Sequence, residues 1–223
     1  MSPEATALVL SETRIAEVLA ATEFRWEDRS KIPALVNEPR NSQGLDAAYY
    51  QNLHDHNEAY QSNNWLVDHA EAIASRAHGD TVLEIGSGNC LFAKKIAGRV
   101  ARVYATDWMR PVNLEIADAN VLFSIANVLT DELPIADIVC SADVLEHLPP
   151  EKLEDAIERL THKSKNQYHV IACYDDTHSH LTVMSPGVWL WLFRKYVSDA
   201  KILDIECRRD DPNQIVCTII AGN

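Results

Sequence analysis

From Thr81 onward the apolar residues fall into two kinds of run. Thr81–Gly86 (TVLEIG), Ala101–Asp107 (ARVYATD), Ala136–Ala142 (ADIVCSA) and Tyr168–Tyr174 (YHVIACY) are short blocks with few polar positions. Such blocks predict strands buried on both faces, as in a parallel sheet covered by helices. A shorter strand is predicted at Val121–Ile125. Between them the period changes. In PEKLEDAIERL, Leu153, Ile157 and Leu160 share one helical stripe, with Pro150 suited to the first turn. LFAKKIAG predicts a helix closed by Gly98, and SPGVWLWLFRKY one with Ser185 as cap and Pro186 at its start. Val188–Phe193 is apolar nearly all round, which reads as core or as a partner surface. Lys201–Arg209 and Gln214–Ala221 predict two strands joined by the turn DDPN. Residues 80–223 are therefore expected to form an α/β, doubly wound, seven-stranded, mostly parallel sheet with one antiparallel strand.

Residues 1–79 carry a helical pattern and are expected to form an N-terminal extension and cap. Leu8, Ile15, Val18 and Leu19 fit one stripe, and Arg29–Gly44 interrupts it with two prolines and a glycine. A longer helix is predicted over about Asp46–Ala77, ending at Gly79. Its first part, YYQNLHDHNEAYQSNNW, mixes aromatics with amides and histidines and has few aliphatics. That suits a cap over the strand ends, with aromatic faces for sugar rings and amides for hydroxyls; a helical layer burying one aromatic side is the plain alternative.

Composition narrows the classes. The net charge of −13 and the absence of a basic face disfavour nucleic acid and anionic membrane surfaces as partners. No apolar run is long enough for a membrane span, and the N-terminus lacks the basic start of a secretory signal, so a cytoplasmic location is expected. The five cysteines form no CxxC pair and lie mostly in strand-like runs, as reduced, buried small residues would.

In a parallel sheet, ligands bind beyond the carboxyl ends of the strands. The first end reads VLEIGSGNC, where Gly86 and Gly88 allow a tight turn and close approach of a ligand. It is neither a GxGxxG fingerprint nor a phosphate loop. The second end presents Asp107, placed to bind ribose hydroxyls, and Trp108, which suits an adenine face. The third presents Asn127 and Val128, and the fourth SADVLEHLPP, in which Asp143, Glu146 and His147 would share one face of a helix.

In VLEIGSGNC, VYATD and ADIVCSADVLEHLPPEKLEDAIERL, the chain resembles the class I S-adenosylmethionine-dependent methyltransferases over roughly residues 65–220. The resemblance implies S-adenosylmethionine as cofactor and S-adenosylhomocysteine as product. It implies that Glu84, Gly86, Ser87 and Gly88 cradle the methionine part and that Asp107 holds the ribose. Asn127 and Val128 would face the adenine, Ser141 would lie near the sulfonium, and Tyr60 would close the pocket. Two positions depart from the family pattern: Cys90 stands where a third glycine is common, and Asn127 where an aspartate is usual.

On the acceptor side, His147, His178 and His180 are the candidate catalytic groups, since histidine exchanges protons near neutral pH. A divalent metal held by Asp143, Glu146 and His147 with His178 or His180 is an alternative that this reading does not favour. The expected activity is methylation, at oxygen, of a small-molecule or saccharide acceptor. The alternatives are N-methylation of a small amine, RNA 2′-O-methylation, and a non-catalytic cofactor-binding partner subunit. A homodimer is left open.

Overall fold

The computed structural model describes residues 44–111 and 114–222. The stripe at Leu8, Ile15, Val18 and Leu19 lies outside these residues, as does most of the Arg29–Gly44 break.

The strands are β1 (Thr81–Ile85), β2 (Arg102–Asp107), β3 (Val121–Ile125), β4 (Ile138–Ala142), β5 (Gln167–Ala172), β6 (Lys201–Cys207) and β7 (Ile215–Ala221). They form one sheet in the order β3-β2-β1-β4-β5-β7-β6. All neighbours are parallel except that β7 runs against both β5 and β6. The expected single antiparallel strand is thus β7, inserted beside the edge. The chain starts in the middle of the sheet, winds outward to β3, and returns across β1 to β4. At that reversal, Val82 is level with Val103 on one side and with Ile138 on the other.

Both faces of the central strands are covered, and β1, β4, β5 and β7 are buried on both sides, while the edge strands β3 and β6 are largely exposed. Leu66 and the helices α3 (Ala70–Arg76) and α4 (Leu91–Ile96) pack Ile73, Phe92 and Ile96 against Val82, Val103 and Ile138. On the opposite face, α5 (Pro150–Lys163) and α6 (Pro186–Arg194) bring Leu153, Ile157, Leu160, Trp189 and Phe193 onto Leu83, Val139, Ile171 and Ile219. The apolar run at Val188–Phe193 is therefore core: Trp189 and Phe193 are wholly buried. Pro150 and Pro186 open their helices as expected, but Ser185 makes no side-chain cap bond.

The long helix expected over Asp46–Ala77 is broken. Helices α1 (Ala47–His56) and α2 (Glu58–Ser62) are separated by Asn57, and a 3₁₀ turn at Trp65–His69 precedes α3. The breaks have a common cause. Asn57 Oδ1 accepts from the N–H groups of Ala59 and Tyr60, and Asn64 Oδ1 from that of Leu66. Each asparagine offers the backbone an alternative partner and restarts the helix. The carboxylate of Asp46 caps α1 in the same way, at 2.9 Å from Tyr49 N.

No helix among the described residues is long and apolar enough to cross a membrane. All five cysteines are free, and Cys90, Cys140 and Cys217 are buried.

Trp189 has no exposed surface and lies in the centre of the second face. Trp189→Ala should therefore lower the unfolding free energy by about 3–5 kcal/mol. Urea denaturation followed by circular dichroism measures this; a loss below about 1 kcal/mol would contradict the packing described.

Candidate active site

The carboxyl ends of β1, β2, β3 and β4 open into a cavity of about 640 Å³, roofed by the α1–α2 segment. It lies where the strand order reverses, the expected place for a ligand in such a sheet.

The β1 end forms the floor. Gly86 (φ +69°) and Gly88 (φ +49°) both take left-handed backbone conformations. A Cβ on Gly86 would meet Val144 Cγ2 at 2.3 Å, and one on Gly88 would meet His54 Cε1 at 3.0 Å. Glycine is thus required by conformation and by space together. Cys90, at the third glycine position of the family pattern, has φ +58° and is wholly buried. It adopts the conformation a glycine would, with its Sγ 3.6 Å from Ser87 Oγ. Ser87 is itself buried in this turn.

Glu84 lines the cavity but has no exposed surface, and neither carboxyl oxygen has a hydrogen-bond partner. Burial raises its pKa well above the ordinary carboxylate range. The Asn64 amide lies close enough to oppose this shift in part, while it also donates to the Ser87 carbonyl at 3.4 Å. A buried carboxyl without a donor costs about 1–3 kcal/mol or more, so its retention calls for a ligand that donates to it.

Asp107 closes the next strand. Gly88 N donates to its Oδ2 at 2.7 Å and Met109 N to its Oδ1 at 3.3 Å. Burial pushes its pKa up to about 6, against the pull of these bonds. Beside it, Trp108 lines the cavity with 39% of its surface exposed, 6.2 Å from the Tyr50 ring. Asn127 and Val128 also line this side. Asn127 Oδ1 accepts from Leu129 N at 2.9 Å, and Asp131 accepts from Asn127 N at 3.0 Å. The carboxylate absent at position 127 is therefore present four residues on, holding the turn.

The far wall departs from the expectation of one helical face carrying Asp143, Glu146 and His147. Asp143 has φ +51° and precedes a 3₁₀ turn at Leu145–His147, so its side chain parts from those of Glu146 and His147. Asp143 forms a two-pronged ion pair with Arg208, at 2.8 and 2.9 Å. Arg208 in turn lies 4.0 Å over the Trp65 ring. Glu146 is wholly buried behind the wall; its Oε1 accepts from Ala172 N at 3.0 Å, and its Oε2 has no partner. Burial, then the charge of Asp143, raises its pKa well above the ordinary range. His147 lines the cavity, with Nδ1 3.0 Å from the Ser179 carbonyl and 3.3 Å from Tyr50 Oη. Burial, reinforced by His180, lowers its pKa to about 4, which leaves the ring neutral.

His180 also lines the cavity, and its Nδ1 lies 2.6 Å from the Tyr174 carbonyl. The loop that presents it is built on Asp176, which accepts from the N–H groups of His178, Ser179 and His180 and from Ser179 Oγ. Burial works to raise the Asp176 carboxyl, but these bonds outweigh it and hold it below the ordinary range.

Two expected residues stand elsewhere. Ser141 does not line the cavity: it is wholly buried within β4, and its Oγ is 2.7 Å from His169 Nδ1 on the adjacent strand. Ala142 and Asp143, the next two residues, line the cavity instead. His178 is exposed and is not part of the lining; its Nε2 meets Tyr49 Oη at 2.7 Å, tying the loop to α1.

Tyr60 does line the cavity, and burial pushes its hydroxyl pKa up to about 12. The amides of the capping segment serve a purpose that composition did not reveal. Gln51 exchanges bonds with Arg110, and Gln61 donates to the His54 carbonyl. Asn89, from the glycine loop, donates to the carbonyls of Tyr60, Gln61 and Asn63. These amides stitch the cap to the strand-end loops.

The cavity also contains Tyr50, Tyr174, Arg208 and Arg209, which were not singled out from sequence. The two arginines belong to the β6–β7 turn, far along the chain, and only the insertion of β7 beside β5 brings that turn to this edge.

No family model and no curated protein matches the sequence of this chain. Solved structures match its fold. The DhpI–S-adenosylhomocysteine complex is 18% identical, with a TM-score of 0.58, and the match covers 82% of this chain and 99% of that one. The 1,6-didemethyltoxoflavin-N1-methyltransferase of Burkholderia thailandensis, with its substrate and S-adenosylhomocysteine, is 15% identical over 84% of this chain and 92% of its own, with a TM-score of 0.62. The N-terminal domain of EvdMO1, in the presence of S-adenosylhomocysteine and D-fucose, is 14% identical over 73% and 84%, with a TM-score of 0.55. With its strand order, its antiparallel β7 and its glycine turn at the β1 end, the chain has the fold of the class I S-adenosylmethionine-dependent methyltransferases.

Proposed function

We propose that this chain transfers a methyl group from S-adenosylmethionine to an oxygen atom of a small acceptor bearing hydroxyl groups, a saccharide among them. The observation that carries the cofactor part of this reading is Glu84, a cavity-lining carboxyl with both oxygens unpartnered beside two glycines in left-handed conformations. The cofactor's ammonium group is a donor of the kind those oxygens lack. Asp107, already held by two main-chain N–H groups, keeps lone pairs for the ribose hydroxyls. Asn127 and Val128 lie where an adenine edge would be read, and Trp108 offers a flat apolar face. When bound, S-adenosylmethionine supplies a methyl group already activated on a positively charged sulfur.

The chain's own contribution is to align the acceptor, keep water out and manage one proton. Tyr50 and Tyr60 in the capping segment close the roof. A hydroxyl acceptor must give up its proton as it attacks. His147 and His180, with Nδ1 turned to carbonyls, offer the opposite nitrogen to such a group, either directly or through a bound ion. Support for a saccharide comes from the match to EvdMO1, whose structure was determined in the presence of D-fucose. An RNA acceptor is opposed by the net charge of −13.

Three outcomes test this reading. Calorimetry should show S-adenosylhomocysteine binding, and Glu84→Leu should weaken it at least tenfold, equivalent to about 1.4 kcal/mol. The same variant should unfold at equal or higher denaturant, because an unpartnered buried carboxyl is removed. Loss of stability together with unchanged affinity would refute the role given to Glu84.

A second outcome concerns pH. Asp107 ionises at about 6, and its charged form is the better acceptor for ribose hydroxyls. Lowering the pH from 7 to 5 protonates it and should weaken S-adenosylhomocysteine binding about tenfold. Asp107→Asn should bind weakly at both pH values and so lose the pH dependence.

Finally, transfer of labelled methyl groups should be screened over monosaccharides, nucleotide sugars, phenols and amines. His147→Ala should lower turnover on the active acceptor about 10²-fold or more while cofactor affinity stays within a factor of about two. A parallel fall in both would make His147 a residue of the cofactor site or of the fold.

A further inference from the structure

Three side chains at the acceptor wall come together without a bond between them. One ligand atom from each of Glu146, His147 and His180 lies within 4.8 Å of the other two. On both rings Nδ1 is committed to a main-chain carbonyl, Ser179 for His147 and Tyr174 for His180. A carbonyl only accepts, so Nδ1 carries a proton in both rings, and a metal ion would take Nε2 through its lone pair. Neither Nε2 has a hydrogen-bond partner among the described residues. Glu146 shows the same division: Oε1 is held by Ala172 N, whereas Oε2 is wholly buried and unpartnered.

The geometry points to a site for a divalent transition-metal ion formed by Glu146, His147 and His180, with its open coordination positions toward the cavity for an oxygen of the bound acceptor. The arrangement around the three groups is that of metal ligands. A ligating histidine usually donates its second ring N–H to a carbonyl or carboxylate, which fixes tautomer and orientation. Here two carbonyls do so, one of them from the loop that Asp176 holds together. Bonds of about 2.0–2.2 Å place ligand atoms about 3–4 Å apart, within reach of small side-chain rotations from the present positions. Two imidazoles and one carboxylate suit zinc, cobalt, iron or manganese better than magnesium, which prefers oxygen ligands throughout. Three protein ligands leave room for an exogenous oxygen, as in catalytic zinc sites. Asp143 is not part of the set, because Arg208 occupies both of its oxygens.

Only the placing of an acceptor oxygen on the ion rests on the methyl-transfer reading; the ion site itself does not. The test therefore uses the metal alone. Full-length protein freed of metal by a chelator is titrated with Co²⁺, followed by visible absorption, and with Zn²⁺ by calorimetry, without cofactor. One ion per chain is expected. His180→Ala and Glu146→Gln should each weaken it at least tenfold, and His178→Ala, outside the cavity, should leave it unchanged. Circular dichroism identifies variants that fail to fold; if Glu146→Gln is one, His180→Ala decides. No ion held at one per chain, or equal affinity in the wild type and His180→Ala, overturns the site. S-adenosylhomocysteine binding is measured separately. Its failure with metal binding intact would overturn the methyl-transfer reading and leave the metal site standing.

Discussion

Parallel strands place all their carboxyl ends on one edge of the sheet, and no tight turn can join two that are adjacent. In this protein β1 sits at the reversal, with β2 on one side and β4 on the other. The loops leaving β1 and β4 must diverge to opposite faces, and a crevice opens between them. The site depends on that constraint. The loop after β1 turns back as tightly as the fold allows, with Gly86 packed so closely on Val144 that no side chain fits. Sequence elements some sixty residues apart thereby become the two walls of one cavity.

The walls differ in electrostatic character, and the difference matches the two halves of the proposed reaction. On the β1–β2 side, neither Glu84 oxygen has a well-formed hydrogen bond, and Asp107 has its oxygens only partly satisfied by main-chain N–H groups. That side is prepared for a ligand with N–H and O–H groups to give. On the β4–β5 side, His147, His180 and Glu146 keep electron pairs that the protein itself does not use. That side is prepared for a cation or an acidic hydrogen. Both preparations cost stability in the empty protein, since buried polar atoms lose their water without a replacement. The surrounding core, closed on both faces by helices, supplies the rigidity that keeps these atoms in place.

The cap shows how composition can suggest one role and geometry reveal another. A segment rich in tyrosine, asparagine, glutamine and histidine reads as a binding surface for a polyhydroxylated ligand. In the folded chain Gln51, Asn57, Gln61 and Asn64 bond to the protein's own backbone, and Asn89 bonds back to the cap from below. Tyr50, Tyr60 and His54 remain for the cavity. The amides set the height of the roof, and the aromatic rings form its inner surface.

The sequence by itself determined the sheet, its layers, and the residues at each strand end. Alternating strand and helix periods are local properties, and a doubly apolar strand has few places to go other than the middle of a covered sheet. For the same reason Glu84, Gly86, Gly88 and Asp107 were legible, since they end their strands or directly follow them. Other features depended on tertiary structure. Asp143, Glu146 and His147 looked like one helical face, but the left-handed backbone at Asp143 and its pairing with Arg208 separate it from the other two. Ser141 and His178 had the right spacing, but Ser141 is taken up by His169 on the adjacent strand and His178 by Tyr49 of the cap. The convergence of Glu146, His147 and His180, and the arrival of Arg208 from the far end of the chain, arise from strand adjacency. Residue spacing does not encode adjacency; burial of the assembled sheet imposes it.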